Sequence, residues 1–319
     1  MMKKANIALV FGIVIFALLI YFSDINRIIE ILKNAKPLLL MLGFCFLIFS
    51  YILRVFRWKI LVYEDIKFQE CMNILFVGTF GNRVLPLKMG GLIKAFLLSK
   101  RNNIKFGSAL SSVFIDNFVE IIYVLMSSLF VALLMNINTD NSLIKLMIGI
   151  FFGVVSSILL TFSLWKFFGV KYVKMLIPKS FINKDSSVLS DFLSHLKSID
   201  RKIIIRSFVL TTFIWISQTI SNFFLMNSIG LRMDMYILYL ISTLPIVIGI
   251  FSSIPGGLGI QELSIVGIYT SASKILASDA TSLAILIRVV DTIAIGLMGI
   301  YGINNIGIKF SRLEKEIYE

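Results

Sequence analysis

The sequence predicts an all-α fold, a polytopic bundle of membrane helices, and two observations carry that expectation. Hydrophobic residues make up 58% of the 319 and charged residues only 15%, for a mean hydropathy of +0.91. Such a chain cannot wrap an ordinary core in a polar exterior. The apolar residues also gather into runs near the roughly 20 residues that a spanning helix needs, separated by basic segments. Lys and Arg total 31 against 18 Asp and Glu, a formal charge of +13, which in a soluble chain points to nucleic acid. In this composition the excess belongs to loops on one side of a membrane, and no nucleic-acid partner is expected. Cys45 and Cys71 lie in or beside apolar segments without CxxC or Cys/His spacing, so no disulfide framework, metal site or cofactor is expected.

Taken in order, the elements suggest one transmembrane domain over 1–319 with about six full spans and two broken or re-entrant helical hairpins. Lys3 and Lys4 precede an apolar run from Ala5 to Phe22 with no small-residue cleavage pattern, hence a retained first helix. Residues 24–36 put Ile25, Ile28, Ile29 and Leu32 on one helical face, which suits a short interfacial helix. A second span runs from Pro37 to about Phe56, and Arg54, Arg57, Lys59 and Lys67 are assigned to the basic segment at its end. Residues 71–82 and 92–99 are each too short to cross. They flank RVLPLKMGG, with Pro86, Gly90 and Gly91, so 71–99 reads as a hairpin that enters, breaks and leaves on one side. Its tip carries Arg83 and Lys88, with Lys94 on the way out.

The next span, Phe106 to Met135, contains Asp116 and Glu120 one helical turn apart, and carboxylates at that depth should face the interior. Another span runs from Leu143 to about Phe168. The basic loop 169–202 carries Val188, Leu189, Phe192, Leu193, Leu196 and Ile199 at helical spacing, which predicts an amphipathic helix on the membrane surface. His195, the only histidine, sits on it and is given no role. Ile203 to Gly230 is a further span, with Gln218 and Asn222 placed for interhelical hydrogen bonds.

The second hairpin, 235–274, contains the sharpest break. Pro255, Gly256, Gly257 and Gly259 interrupt an apolar stretch and Glu262 follows them. Lipid supplies no hydrogen bonds, so such a backbone survives at depth only inside protein or beside a water-filled cavity. Both arms are long enough to cross, so a re-entrant and a fully spanning hairpin both remain open. Glu262 falls on the first turn of the returning helix, where the macrodipole favours a carboxylate. The last span, Ala280 to about Ile303, carries Arg288 and Asp291. An unpaired charge there costs about 3 kcal/mol or more, so Arg288 needs Asp291, Glu262 or a cavity.

With the N-terminus inside, 19 Lys and Arg fall on inside segments and 6 on outside ones. The positive-inside rule then puts both termini and the loop 169–202 in the cytoplasm of a cell-membrane protein. The two breaks also match. GTFGNRVLP (78–86) and GIFSSIP (249–255) share Gly-x-Phe, small or polar residues and a Pro, and a Gly pair follows each. Ionisable residues come 30 and 34 positions after the first Pro and 33 and 36 after the second. Hairpins entering from opposite sides in this order are the pattern of inverted repeats in secondary transporters, with broken helices at the binding site.

These residues resemble the lysylphosphatidylglycerol synthase transmembrane family, which includes the flippase half of the bacterial aminoacyl-phospholipid resistance protein. The signature PGGxGxxE is matched by Pro255, Gly256, Gly257, Gly259 and Glu262, and a later arginine by Arg288. A first block is matched by Asn82, Pro86, Lys88, Gly90 and Lys94, with lysine where the family usually has arginine. The next helix departs from the family's pattern: where an acidic-Arg pair is expected, this chain has Asp116 followed by Asn117.

In that family aminoacyl transfer resides in a separate soluble domain, and these residues are expected not to be the synthase. The resemblance implies a flippase or flippase-like transporter for a phospholipid or a lipid-linked glycan. Its expected substrate-binding residues are Asn82, Arg83, Lys88, Lys94, Asp116, Glu120, Glu262, Arg288 and Asp291, the cations pairing with a phosphate. Two alternatives remain: a membrane subunit that scaffolds a separate transferase or glycosyltransferase, and an integral lipid-phosphate transferase. The same charges would also serve as an internal ion-pair network. An oligomer is compatible with any of these.

Overall fold

A computed structural model of the chain describes residues 13–14, 16–19, 21, 24–62, 65–85, 89–134, 187–251, 254–273 and 276–307. Most of the expected first span, all of the span 143–168, residues 169–186 of the basic loop, Pro86 and Lys88 lie outside the described residues. The described residues form helices and turns, with no strand. The helices are α1 (Ile25–Lys33), α2 (Pro37–Val62), α3 (Phe68–Val84), α4 (Gly90–Asn102), α5 (Phe106–Leu134), α6 (Val188–Ser198), α7 (Arg201–Ser228), α8 (Met235–Phe251), α9 (Ile260–Ser273) and α10 (Ala277–Ile306), with a 3-10 turn at Pro255–Gly257 between α8 and α9. Four of them, at Pro37–Val62, Phe106–Val131, Arg201–Ser228 and Ala277–Ile306, are long and apolar enough to cross a membrane. The protein is a polytopic helical membrane protein.

Contacts at the helix ends sort the elements into two faces. On one face the Arg101 guanidinium of α4 pairs with Glu70 of α3 and donates to the Ile306 carbonyl of α10 at 3.1 Å. Lys105 there reaches Asp191 of α6 at 2.9 Å. This is the basic face. On the opposite face the Lys36 amide donates to the Ser228 carbonyl at 2.8 Å, which ties the start of α2 to the end of α7. Arg27 of α1 is bonded to Asp279 at the start of α10 at 2.7 Å. The Asp24 carboxylate caps α1 by accepting from the amides of Asn26 and Arg27.

Against these faces both hairpins are re-entrant. The first, α3 and α4, starts and ends at the basic face with arms of 17 and 13 residues. Its arms touch backbone to backbone, since a Cβ on Gly90 would stand 1.9 Å from the Gly78 carbonyl oxygen. The second, α8 and α9, starts and ends at the opposite face, where the Tyr269 hydroxyl returns to the Arg232 carbonyl at 3.4 Å. The alternative left open for 235–274 is decided by the tips, which meet beside Arg288 and Asp291 near the middle of α10, so neither hairpin runs the full length of that span. The two halves are then an inverted pair: α2, the first hairpin and α5, against α7, the second hairpin and α10. The packing follows the same exchange, with α2 on α7, α3 on α10 and α8 on α5. Small residues let α2 and α7 approach, and Ser217 and Ser221 of α7 donate to the carbonyls of Phe46 and Gly43 at 2.8 and 2.7 Å.

Two expectations need correcting. α2 does not end near Phe56 but continues to Val62, so Arg54 and Arg57 belong to a helix interior rather than a loop. The apolar Ile60, Leu61 and Val62 extend the helix, and the two arginines are tolerated because carboxylates meet them. The amphipathic helix forms as α6 but is docked on protein: a Cβ on Gly107 of α5 would come 2.1 Å from the Val188 carbonyl. His195, given no role above, is half-buried there, 3.0 Å from the Ser111 hydroxyl and 3.4 Å from the Val62 carbonyl. It staples α6 to α5 and to the end of α2.

Candidate functional site

The break in the second hairpin requires glycine. Gly256, Gly257 and Gly259 all have left-handed backbones, with φ of 59°, 64° and 79°, a region that costs any residue bearing a Cβ. The turn leaves carbonyl oxygens without helical partners, and arginine takes them. Arg288 of α10 donates to the Gly256 carbonyl at 2.9 Å and the Gly257 carbonyl at 3.3 Å, while its Nε pairs with Glu262. Glu262 lies in the first turn of α9 and is 1% exposed. Protein thus encloses the break, as the bilayer demands. One Glu262 oxygen, Oε2, is buried and accepts no hydrogen bond.

The tip of the first hairpin arrives from the other side. Arg83, in the last turn of α3, donates to the same Gly256 carbonyl at 3.4 Å and pairs with Asp291 of α10. Tyr51 of α2 also donates to Asp291, at 3.0 Å. Asp291 is therefore not the partner of Arg288, although it stands one turn along the same helix. Among the described residues this group, where the hairpins meet, holds two guanidinium groups against two carboxylates. Asn82 plays a different part, since its side-chain oxygen accepts from the Gly90 amide at 2.9 Å and closes the hairpin by capping α4.

The remaining ionisable residues form a second group nearer the basic face, between α2, α4, α5 and α7. Arg57, 1% exposed, donates to Asp116 at 2.8 Å, to Glu120 at 2.7 Å and to the Thr211 hydroxyl at 3.1 Å. Arg54 also pairs with Glu120, and Lys94 lies 3.3 Å from Asp116. Lys94 sits over the Trp58 ring at 5.2 Å, and Arg54 over the Trp215 ring at 5.4 Å. Reasoning from the sequence missed Arg54 and Arg57. The available signal was the spacing of Tyr51, Arg54, Arg57 and Trp58, which puts all four on one face of α2. Tyr51 and Arg54 join the two groups, with the Arg54 guanidinium 5.8 Å from the Tyr51 ring centre.

Comparison with known proteins fits this architecture. The family model described as the lysylphosphatidylglycerol synthase TM region matches residues 9–299. The chain belongs to this family. A UPF0104 membrane protein of Pyrococcus horikoshii is 22% identical, over 88% of this chain and 91% of that protein. A second UPF0104 membrane protein, from Methanothermobacter thermautotrophicus, is 26% identical over 91% of this chain and 89% of its own length. The glycosyltransferase AglD of Haloferax volcanii is 20% identical over 85% of this chain but only 49% of itself. Within the lysylphosphatidylglycerol synthase transmembrane family, then, this chain presents two buried ionic groups at and below the meeting point of two opposed hairpins.

Proposed function

We propose that the protein moves a phospholipid or a lipid-linked glycan between leaflets, with the headgroup passing the point where the hairpin tips meet. The observation that carries this reading is the contact of Arg83, from a hairpin entering at the basic face, with Gly256 and Asp291 of the half that enters from the other. Broken helices from inverted halves that meet at depth are how secondary transporters build a site reached alternately from each side. Charges held there are costly and favour function over packing alone. Arg83 and Arg288 present guanidinium groups suited to a phosphate, and Glu262 and Asp291 balance them or receive a cationic headgroup. The basic face is cytoplasmic in this reading, in the cell membrane.

The similarity to AglD favours a second reading. Because this chain aligns with about half of that glycosyltransferase, the same membrane unit would here anchor or supply a separate transferase. One experiment separates the two. Purified protein is reconstituted into vesicles with headgroup-labelled phosphatidylglycerol, and the label accessible from outside is followed. Exchange faster than in protein-free vesicles supports transport. Exchange at the protein-free rate, with a soluble transferase retained on the purified protein, supports the anchor.

A further inference from the structure

One carboxylate at the hairpin tips is incompletely held. Arg288 divides its guanidinium among three acceptors: Nε bonds Glu262 Oε1, Nη1 the Gly256 carbonyl at 2.9 Å and Nη2 the Gly257 carbonyl at 3.3 Å. The turn thus takes the donors that would complete a two-pronged pair. Glu262 Oε2 is left buried with no hydrogen bond, and a buried polar oxygen in that state calls for a ligand. Asp291 differs, since Oδ1 accepts from Tyr51, Oδ2 pairs with Arg83 and its side chain is 20% exposed. Among the described residues the charged groups around Glu262 are Arg288 and Asp291 on α10 and Arg83 on α3, with Tyr51 of α2 behind Asp291. α8 and α9 carry no other charged residue. Their tyrosines are engaged elsewhere: Tyr239 bonds Ser127, Tyr269 reaches Arg232 and Tyr236 is exposed.

The two arginines and two carboxylates are neutral as they stand, so an anion entering beside them adds one negative charge, which a buried group relieves by neutralising. One proton restores the balance, and Glu262 is the group placed to take it. Nη1 and Nη2 of Arg288 hold the turn, while Nε bonds only Glu262 and is the donor free to change partner. With Arg288 in place, the ion pair and the first turn of α9 favour the carboxylate. Without it, an unpaired charge at that depth is costly. We propose that Glu262 is a proton site, taking one proton on Oε2 when an anionic headgroup draws Nε of Arg288 away and releasing it when the arginine returns. The proton comes from water and goes back to water, and no bond other than that O–H is made or broken. One anionic lipid then crosses with one proton, so its movement is electroneutral and driven by a pH gradient. The proposal rests on the transport reading above and adds what drives it.

The test uses the full chain in two settings. In vesicles holding a trace of headgroup-labelled phosphatidylglycerol, an imposed pH gradient should redistribute the label between leaflets by up to about tenfold per pH unit, the ratio that one proton per lipid sustains. Protein-free vesicles under the same gradient are the baseline. A protonophore abolishes the shift, a membrane potential set with potassium and valinomycin leaves it unchanged, and a sodium gradient does not produce it. In non-ionic detergent with weak buffer, a pH-indicator dye should report about one proton taken up per short-chain phosphatidylglycerol bound. Glu262→Gln takes up none. Glu262→Asp, which keeps the acid one carbon shorter, takes protons up over a shifted pH range, a change that a merely structural carboxylate would not produce. Uptake preserved in Glu262→Gln, or an unchanged pH range in Glu262→Asp, overturns the proposal. Exchange faster than the baseline that ignores the pH gradient, or that follows sodium, also overturns it and leaves the transport reading standing. Glu262-dependent uptake without exchange keeps the proton site and removes the transport reading. Neither uptake nor exchange overturns both.

Discussion

Arg57 is the residue on which the ionic group near the basic face depends. It bonds both Asp116 and Glu120 while almost wholly buried. Arg57→Leu leaves two carboxylates short of a partner at depth, and removing one side of a buried pair costs about 3–5 kcal/mol. Thermal unfolding in detergent should show a large drop in midpoint, which replacing Asp116 and Glu120 as well should reduce. An unchanged midpoint for Arg57→Leu would show that the group is solvated. At this scale the sequence was only half legible. Asp116, Glu120, Glu262, Arg288 and Asp291 declared themselves as charges inside apolar runs. Arg54 and Arg57 did not, because they stand near the end of a run and an arginine there looks like the start of a basic loop. Partner choice was also hidden. Asp291 is near Arg288 in sequence, yet the distant Glu262 takes that arginine and Asp291 takes Arg83.

The hairpins depend on glycine in two physically different ways. At Gly256 the backbone is left-handed and a Cβ would meet Arg83 Cδ at 3.0 Å. At Gly90 the backbone is ordinary but the facing arm is too close for any side chain. Gly267 has neither constraint, with nothing within 4 Å of a Cβ built on it. Gly90→Ala should therefore lower the unfolding temperature sharply, Gly256→Ala by an amount matching a left-handed strain of about 1–2 kcal/mol, and Gly267→Ala not at all. Equal effects at all three positions would mean that helix propensity, and not this packing, governs them. The hairpins were legible because their breaks lie in apolar sequence and the arms of the first are short. Whether the second crossed was not legible, since α8 and α9 have enough apolar residues for either arrangement. Only the meeting of its tip with Arg83 and with Arg288, near the middle of α10, decides it. The docking of α6 was hidden for a similar reason, because an amphipathic helix fits a lipid surface or a protein groove equally well.

On the scale of the whole molecule, two opposed halves exchange partners across α2 and α7 and bring their hairpin tips together. Sidedness follows directly. In a protein freed of Cys45 and Cys71, single cysteines at Ser198 and Asn34 lie on opposite faces and should be labelled from opposite sides of sealed vesicles. Labelling of both from one side would rule out the arrangement. In whole cells Asn34→Cys is the accessible one if the basic face is cytoplasmic. The inverted order was readable from the repeated Gly-x-Phe and Gly-pair motifs, while the meeting of the tips needed coordinates. The central claim is that this meeting point passes lipid, and the most direct measurement is headgroup accessibility in vesicles for Glu262→Gln, Arg288→Gln and the double variant, beside an unfolding curve for each. If the site carries lipid, each single variant remains folded without exchange and the double variant stays inactive. If Glu262 and Arg288 only lock the bundle, each single change is destabilising and the double change restores stability and exchange together. That result would contradict the account.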